Sequence, residues 1–126
     1  MKSIAKMYQI KAPIKKVWKA LVDPKIIEQW GAGPAKMSER VGEEFSLWGG
    51  DIHGKNIEVG INKKLVQEWY SGNWPEPSIA KFTLKASKGT TLLELTHKDV
   101  PDNEAKEIDE GWDLYYLGPV KKLLEE

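Results

Sequence analysis

The sequence contains no cysteine, which removes disulfides, thiolate nucleophiles and cysteine-ligated zinc from consideration together. It also lacks net charge, because nineteen basic residues cancel nineteen acidic ones. No field is therefore available to draw the chain to phosphate backbones or anionic lipid, and nucleic acid is not an expected partner. No apolar run approaches the ~20 residues of a membrane span. Catalytic signatures are missing as well: there is no Gly-x-Ser-x-Gly elbow and no phosphate loop. Gly31-Ala32-Gly33 lacks the third glycine of a dinucleotide fingerprint and follows a helical pattern rather than a strand. Asp51 and His53 are metal-type ligands, but no third residue completes a recognisable spacing. The expectation is a cytoplasmic protein without metal or cofactor, and more a binder than an enzyme.

What is present fits one domain over residues 1–126, since cores commonly grow to roughly 100–200 residues before a chain divides. Ile4 to Ile10 alternates as a strand. Pro13 then opens a short amphipathic helix through Leu21, and Asp23-Pro24 supplies the cap and first position of a second, ending at Trp30. After the Gly31 to Pro34 loop the period changes to two. Phe45 to Trp48, Ile52 to Val59, Leu65 to Tyr70, Ile79 to Ala86 and Thr91 to Lys98 are rich in β-formers and separated by turn residues. Connections this short favour an antiparallel meander.

The final segment reads as the longest helix, with Asp102 as its cap and Lys121 and Lys122 near its end. Ile108, Trp112, Tyr115, Tyr116 and Leu123 form its apolar stripe, and Gly118-Pro119 should kink it. The row Glu107, Glu110 and Asp113 reads as hydrated surface, with Lys106 and Glu110 as an i,i+4 pair. The fold class is α+β: a curved antiparallel sheet of about six strands, two short helices after the first strand, and a long C-terminal helix enclosing an apolar cavity.

This order resembles the helix-grip superfamily of START lipid-transfer domains and birch-pollen allergens. Several stretches are similar, in order, to the C-terminal domain of activators of the heat-shock-protein-90 ATPase: Ala12-Pro13-Ile14 with Val17-Trp18-Lys19-Ala20-Leu21, Val41-Gly42-Glu43-Glu44-Phe45, Gly49-Gly50-Asp51-Ile52-His53-Gly54, Lys64 to Trp69, Leu93 to His97, and Glu110-Gly111-Trp112 with Tyr115-Tyr116-Leu117. The resemblance implies a stress-response interaction with an Hsp90-type chaperone. Some helix-grip relatives are cyclases or hydrolases, which keeps a catalytic alternative open.

Six tryptophans mean either a packed core or a wall for a ligand. Strand parity puts Phe45 and Leu47, Ile57 and Val59, Leu65 and Trp69, Phe82 and Leu84, and Leu93, Leu95 and His97 on one face. Trp112, Tyr115 and Tyr116 meet them from the helix. The resulting expectation is a pocket of a few hundred Å³ for a hydrophobic or amphipathic molecule, with His97, Gln67 and the tyrosine hydroxyls orienting it. The bland alternative is that these side chains fill the space at core density. Trp48 falls on the opposite parity unless a bulge at Gly49-Gly50 turns it back. Trp30 and Trp74 sit where a pocket entrance or partner surface would lie, and self-association is a further possibility.

Overall fold

A computed structural model describes residues 1–126. Strand β1 (Lys2–Ile10) leads into helices α1 (Ile14–Val22) and α2 (Pro24–Trp30). The meander β2 (Glu44–Leu47), β3 (Ile52–Gly60), β4 (Lys64–Ser71), β5 (Ser78–Ser87) and β6 (Thr90–Val100) follows. The six strands form one antiparallel sheet in the order β1-β6-β5-β4-β3-β2. All its neighbours are sequential except β1 against β6, as short hairpin connections dictate.

The C-terminal helical stretch runs over 105–125 in three parts: α3 (Ala105–Gly111), a π-helical segment (Trp112–Leu117) and α4 (Gly118–Glu125). This is the helix-grip arrangement, with one cluster of 26 buried apolar residues between the sheet and the helices.

Asp23 caps α2 as its sequence position implies, accepting the Lys25 N–H at 2.9 Å. Asp102 does not cap the last helix, which starts at Ala105 with Glu104 in the cap position and no side-chain bond there. Glu104 is engaged elsewhere, accepting the Trp74 indole N–H at 2.7 Å. The surface row is also partly recruited. Asp113 and its neighbour Asp109 bind Lys6 of β1 at 2.8 and 2.5 Å, and the Tyr8 hydroxyl donates to Asp113. Burial alone would raise the Asp113 carboxyl, but the bonds from Lys6 and Tyr8 outweigh it and hold the group below its ordinary range.

The π-helical segment has a local cause. Pro119 carries no N–H, so the regular ladder cannot continue through it. The turn widens, and the Gly118 N–H reaches back to the Asp113 carbonyl, five residues away. Gly118 is required for that approach, because a Cβ there would stand 2.1 Å from the same oxygen. Gly54 answers a comparable need inside the sheet: a Cβ on it would lie 1.8 Å from the Glu68 carbonyl oxygen.

The sequence placed Ile57 on the inner face, and the structure corrects this. The β3–β4 register shifts between Asn56 and Glu58, leaving Ile57 38% exposed while Asn56 points inward. Tyr115 is corrected for a different reason. In the widened π turn, residues four apart stay aligned, so Trp112 and Tyr116 remain buried while Tyr115 swings off the stripe to 65% exposure.

Candidate functional site

The aromatic residues form a connected ladder between the helix and the sheet. Trp74 lies 6.2 Å from Trp69, and Trp69 stacks on Trp112 at 5.3 Å. Trp112 then meets Tyr116 at 4.7 Å, and Tyr116 meets Trp30 at 4.6 Å. Trp48 closes the series, edge-on to both Trp30 and Tyr116 at 6.4 Å. Centroid separations in this range are those of favourable offset and edge-to-face pairs.

Trp48 reaches the ladder because β2 ends at Leu47 and Trp48 itself takes a left-handed backbone, φ 51°. That conformation is costly for a bulky residue. It is held by the Trp48 N–H on the Ala32 carbonyl at 2.9 Å and the indole N–H on the Gly31 carbonyl at 3.0 Å.

Behind the ladder, His97 anchors a buried relay. The Trp112 indole can only donate, so His97 Nδ1 accepts from it at 3.0 Å. His97 Nε2 therefore carries the proton and donates to Ser78 Oγ at 2.7 Å. Ser78 in turn donates to the Trp69 carbonyl at 2.7 Å. Burial pushes the imidazole down to about 4, consistent with a ring that must be neutral to accept from Trp112. Gln67, the other polar group expected to orient a ligand, donates its amide N–H groups to Asn56 at 3.0 Å and Met37 at 3.4 Å, while its carbonyl oxygen is buried without a partner.

Trp69, Phe82, Leu95, His97, Trp112 and Tyr116 are each at most 4% exposed, and the five rings among them pack in one connected cluster. The space directly beneath the helix is thus taken by side chains. Phe45 and Leu47 are buried there too, and Val59 is half-buried.

Open volume lies beside this packing, as a half-open groove of about 520 Å³ between the C-terminal helix and the corner at Trp48, Asp51 and Ile52. Of the expected site residues, Trp69, Trp112, Tyr115 and Tyr116 line it. The helix adds Glu107, Ile108, Glu110, Gly111 and Leu114, which parity along strands could not reveal. Of these, Ile108 stands on the apolar stripe read from the sequence and Glu107 and Glu110 in the row beside it, whereas Gly111 and Leu114 carried no signal of their own. Two wall residues also carry buried polar atoms with no protein partner, the Trp69 indole N–H and the Tyr116 hydroxyl. Burial drives the Tyr116 phenol upward, so it stays protonated.

The family described as activator of Hsp90 ATPase homolog 1-like protein matches residues 11–125. An uncharacterised protein of Schizosaccharomyces pombe is 30% identical over 120 residues, covering 94% of this chain and 36% of that protein. The activator of 90 kDa heat shock protein ATPase homolog 2 of Mus musculus is 25% identical over 114 residues, covering 89% of this chain and 34% of its own length. The chain therefore spans about a third of the length of these curated relatives. Among solved structures, an HSP90 activator from Plasmodium falciparum shares the fold with a TM-score of 0.91 at 24% identity, over 98% of this chain and 96% of that one.

Proposed function

The chain belongs to the activator of Hsp90 ATPase homolog 1-like family, and on that premise we propose that it is a non-catalytic binding domain whose aromatic groove takes up a hydrophobic or amphipathic molecule. The observation that carries this is the groove itself: about 520 Å³ of half-open space walled by Trp48, Trp69, Trp112 and Tyr116. That volume lies within the range of small-molecule sites, which are mainly apolar with few polar groups. Proton-transfer chemistry is disfavoured, because both nitrogens of His97 are already engaged by Trp112 and Ser78.

The test is titration with the neutral probe N-phenyl-1-naphthylamine, read by its emission and by tryptophan quenching. Saturable uptake is expected, and it should be lost on Ile52→Arg and Leu114→Arg, which fill the groove from opposite walls. Absence of saturable uptake by the native chain would overturn the proposal.

A second reading, contact with an Hsp90-type ATPase in the cytoplasm, is favoured by a specific surface. Leu114 and Tyr115 are 63% and 65% exposed on the helix edge that borders the groove, and such residues serve as anchors for protein partners. Altered ATP turnover of the host chaperone, abolished by Leu114→Ser with Tyr115→Ser, would support it. Unchanged turnover at saturating chain would refute it. Sedimentation of the chain alone tells self-association through the same patch from chaperone contact.

A further inference from the structure

We propose that the guest of this groove is an organic cation, an ammonium-bearing amphiphile whose head lies at the acidic rim and whose apolar body lies against the tryptophans. This rests on the groove being a ligand site, as proposed above. Among the residues that line it, Asp51, Glu107 and Glu110 are acidic and none is Lys, Arg or His. The chain as a whole is balanced at nineteen charges of each sign, so this one-sidedness is local and not a consequence of an acidic protein.

The acidic residues of the helix divide into two sets. Asp109 and Asp113 turn to β1 and are neutralised by Lys6. Glu107 lies on the groove side and Glu110 between the two, and neither they nor Asp51 form an ion pair within the fold. Asp51 and Glu107 carry the argument, since Glu110 also borders a shallow hollow that Lys2 and Lys106 share.

The apolar wall reinforces the same preference. Five aromatic residues line the groove; Trp69, Trp112 and Tyr116 are packed on one another, while half-buried Trp48 and exposed Tyr115 keep ring surface open to a guest. The face of an aromatic ring is the negative end of its quadrupole, and tryptophan binds cations best. An anionic head would meet like charge at the rim and negative ring faces below it. A neutral one would forgo both attractions.

The experiment compares three alkyl probes of equal chain length, below their micellar concentrations, on the native chain by calorimetry: decyltrimethylammonium, neutral decyl maltoside and decyl sulfate. The ammonium is expected to bind about tenfold more tightly than the neutral probe, the order of one cation–π contact plus one exposed ion pair, with the sulfate weakest. Added salt should narrow the gap, because exposed charges are screened over ~10 Å at 0.1 M. Asp51→Asn with Glu107→Gln should level the affinities of the three probes, and both positions are exposed, so folding should survive. Equal binding of the ammonium and neutral probes, or tighter sulfate binding, would overturn the cation preference and leave the groove as a ligand site. Failure of all three to saturate would overturn both. Tighter binding of a Lys-rich peptide than of the ammonium would assign the rim to a protein partner and refute the small-molecule guest.

Discussion

Acid should unlock this protein through His97 before it does so through the carboxylates. The imidazole is fully buried, and burial lowers it from the ordinary 6.5 to about 4. Geometry gives the same direction independently. A proton on Nδ1 would face the Trp112 N–H, turning an acceptor into a second donor in a site with no water-exposed edge. In the unfolded chain the ring titrates normally, so between pH 6.5 and 4 the unfolded state binds more protons than the folded one. Stability must fall as pH falls through that window and level off below it, with a limiting slope near 1.4 kcal/mol per pH unit. Over the whole interval the loss amounts to roughly 3 kcal/mol, a large share of the ~5–15 kcal/mol typical of a domain.

Urea unfolding at a series of pH values from 7.5 to 4.5 reads the slope before most carboxylates titrate. The proton NMR shift of the His97 ring reads its midpoint directly in the folded state, and the chain has only one other histidine to distinguish. His97→Gln preserves a neutral acceptor and donor and should flatten the stability profile. A His97 midpoint at 6 or above, or stability unchanged from pH 7 to 4.5, would refute both the tautomer assigned to His97 and the relay built on it.

Other consequences follow from single contacts. Gly118→Ala drives a methyl into the Asp113 carbonyl at 2.1 Å and should destabilise by about 1–3 kcal/mol, visible as a lowered Tm. Trp112→Phe leaves His97 Nδ1 without its donor and should lose about 1–3 kcal/mol in urea unfolding, while a Trp→Phe change at Trp74, whose indole bonds half-exposed Glu104, should lose less. Lys6→Met removes the cation shared by Asp109 and Asp113. The Asp113 carboxyl should then titrate nearer its ordinary range by NMR, and an unshifted midpoint would mean that Lys6 does not hold it down.

The strands and both early helices were legible because their signals are local: a period of two, a period of 3.6, and the Asp23-Pro24 cap. What escaped were the places where one residue changes the count. The irregularity after Asn56 shifts β3 by a residue and turns Ile57 outward. Nothing in an alternating apolar run marks where the extra residue falls. Gly118-Pro119 was visible as a break, but a break can be absorbed by a bend or by a wider turn, and only the wider turn moves Tyr115 off the buried stripe. Trp48 was expected to turn inward only through a bulge at Gly49-Gly50; it does so instead through its own left-handed backbone at the start of a 3-10 turn.

Two of these departures fall around one place. Trp48 and the π-helical segment face each other across the groove, and each holds a backbone conformation that its residues would not adopt alone. A helix that continued regularly would keep Tyr115 closer to the buried stripe, and a β2 that ended normally would point Trp48 to solvent. The groove therefore exists because two local preferences were overridden at its two walls. Strain of that kind persists only where the surrounding contacts fix it, here the Ala32 and Gly31 carbonyls on one wall and the Asp113 to Gly118 bond on the other. Relieving either wall should close or widen the groove while the sheet stays intact. The two walls can accordingly be probed apart: Gly118→Ala should change probe uptake through the helix, and Trp48→Ala through the corner. If both variants kept native uptake, the groove's shape would not depend on these two conformations, and the link drawn between backbone strain and binding would fail.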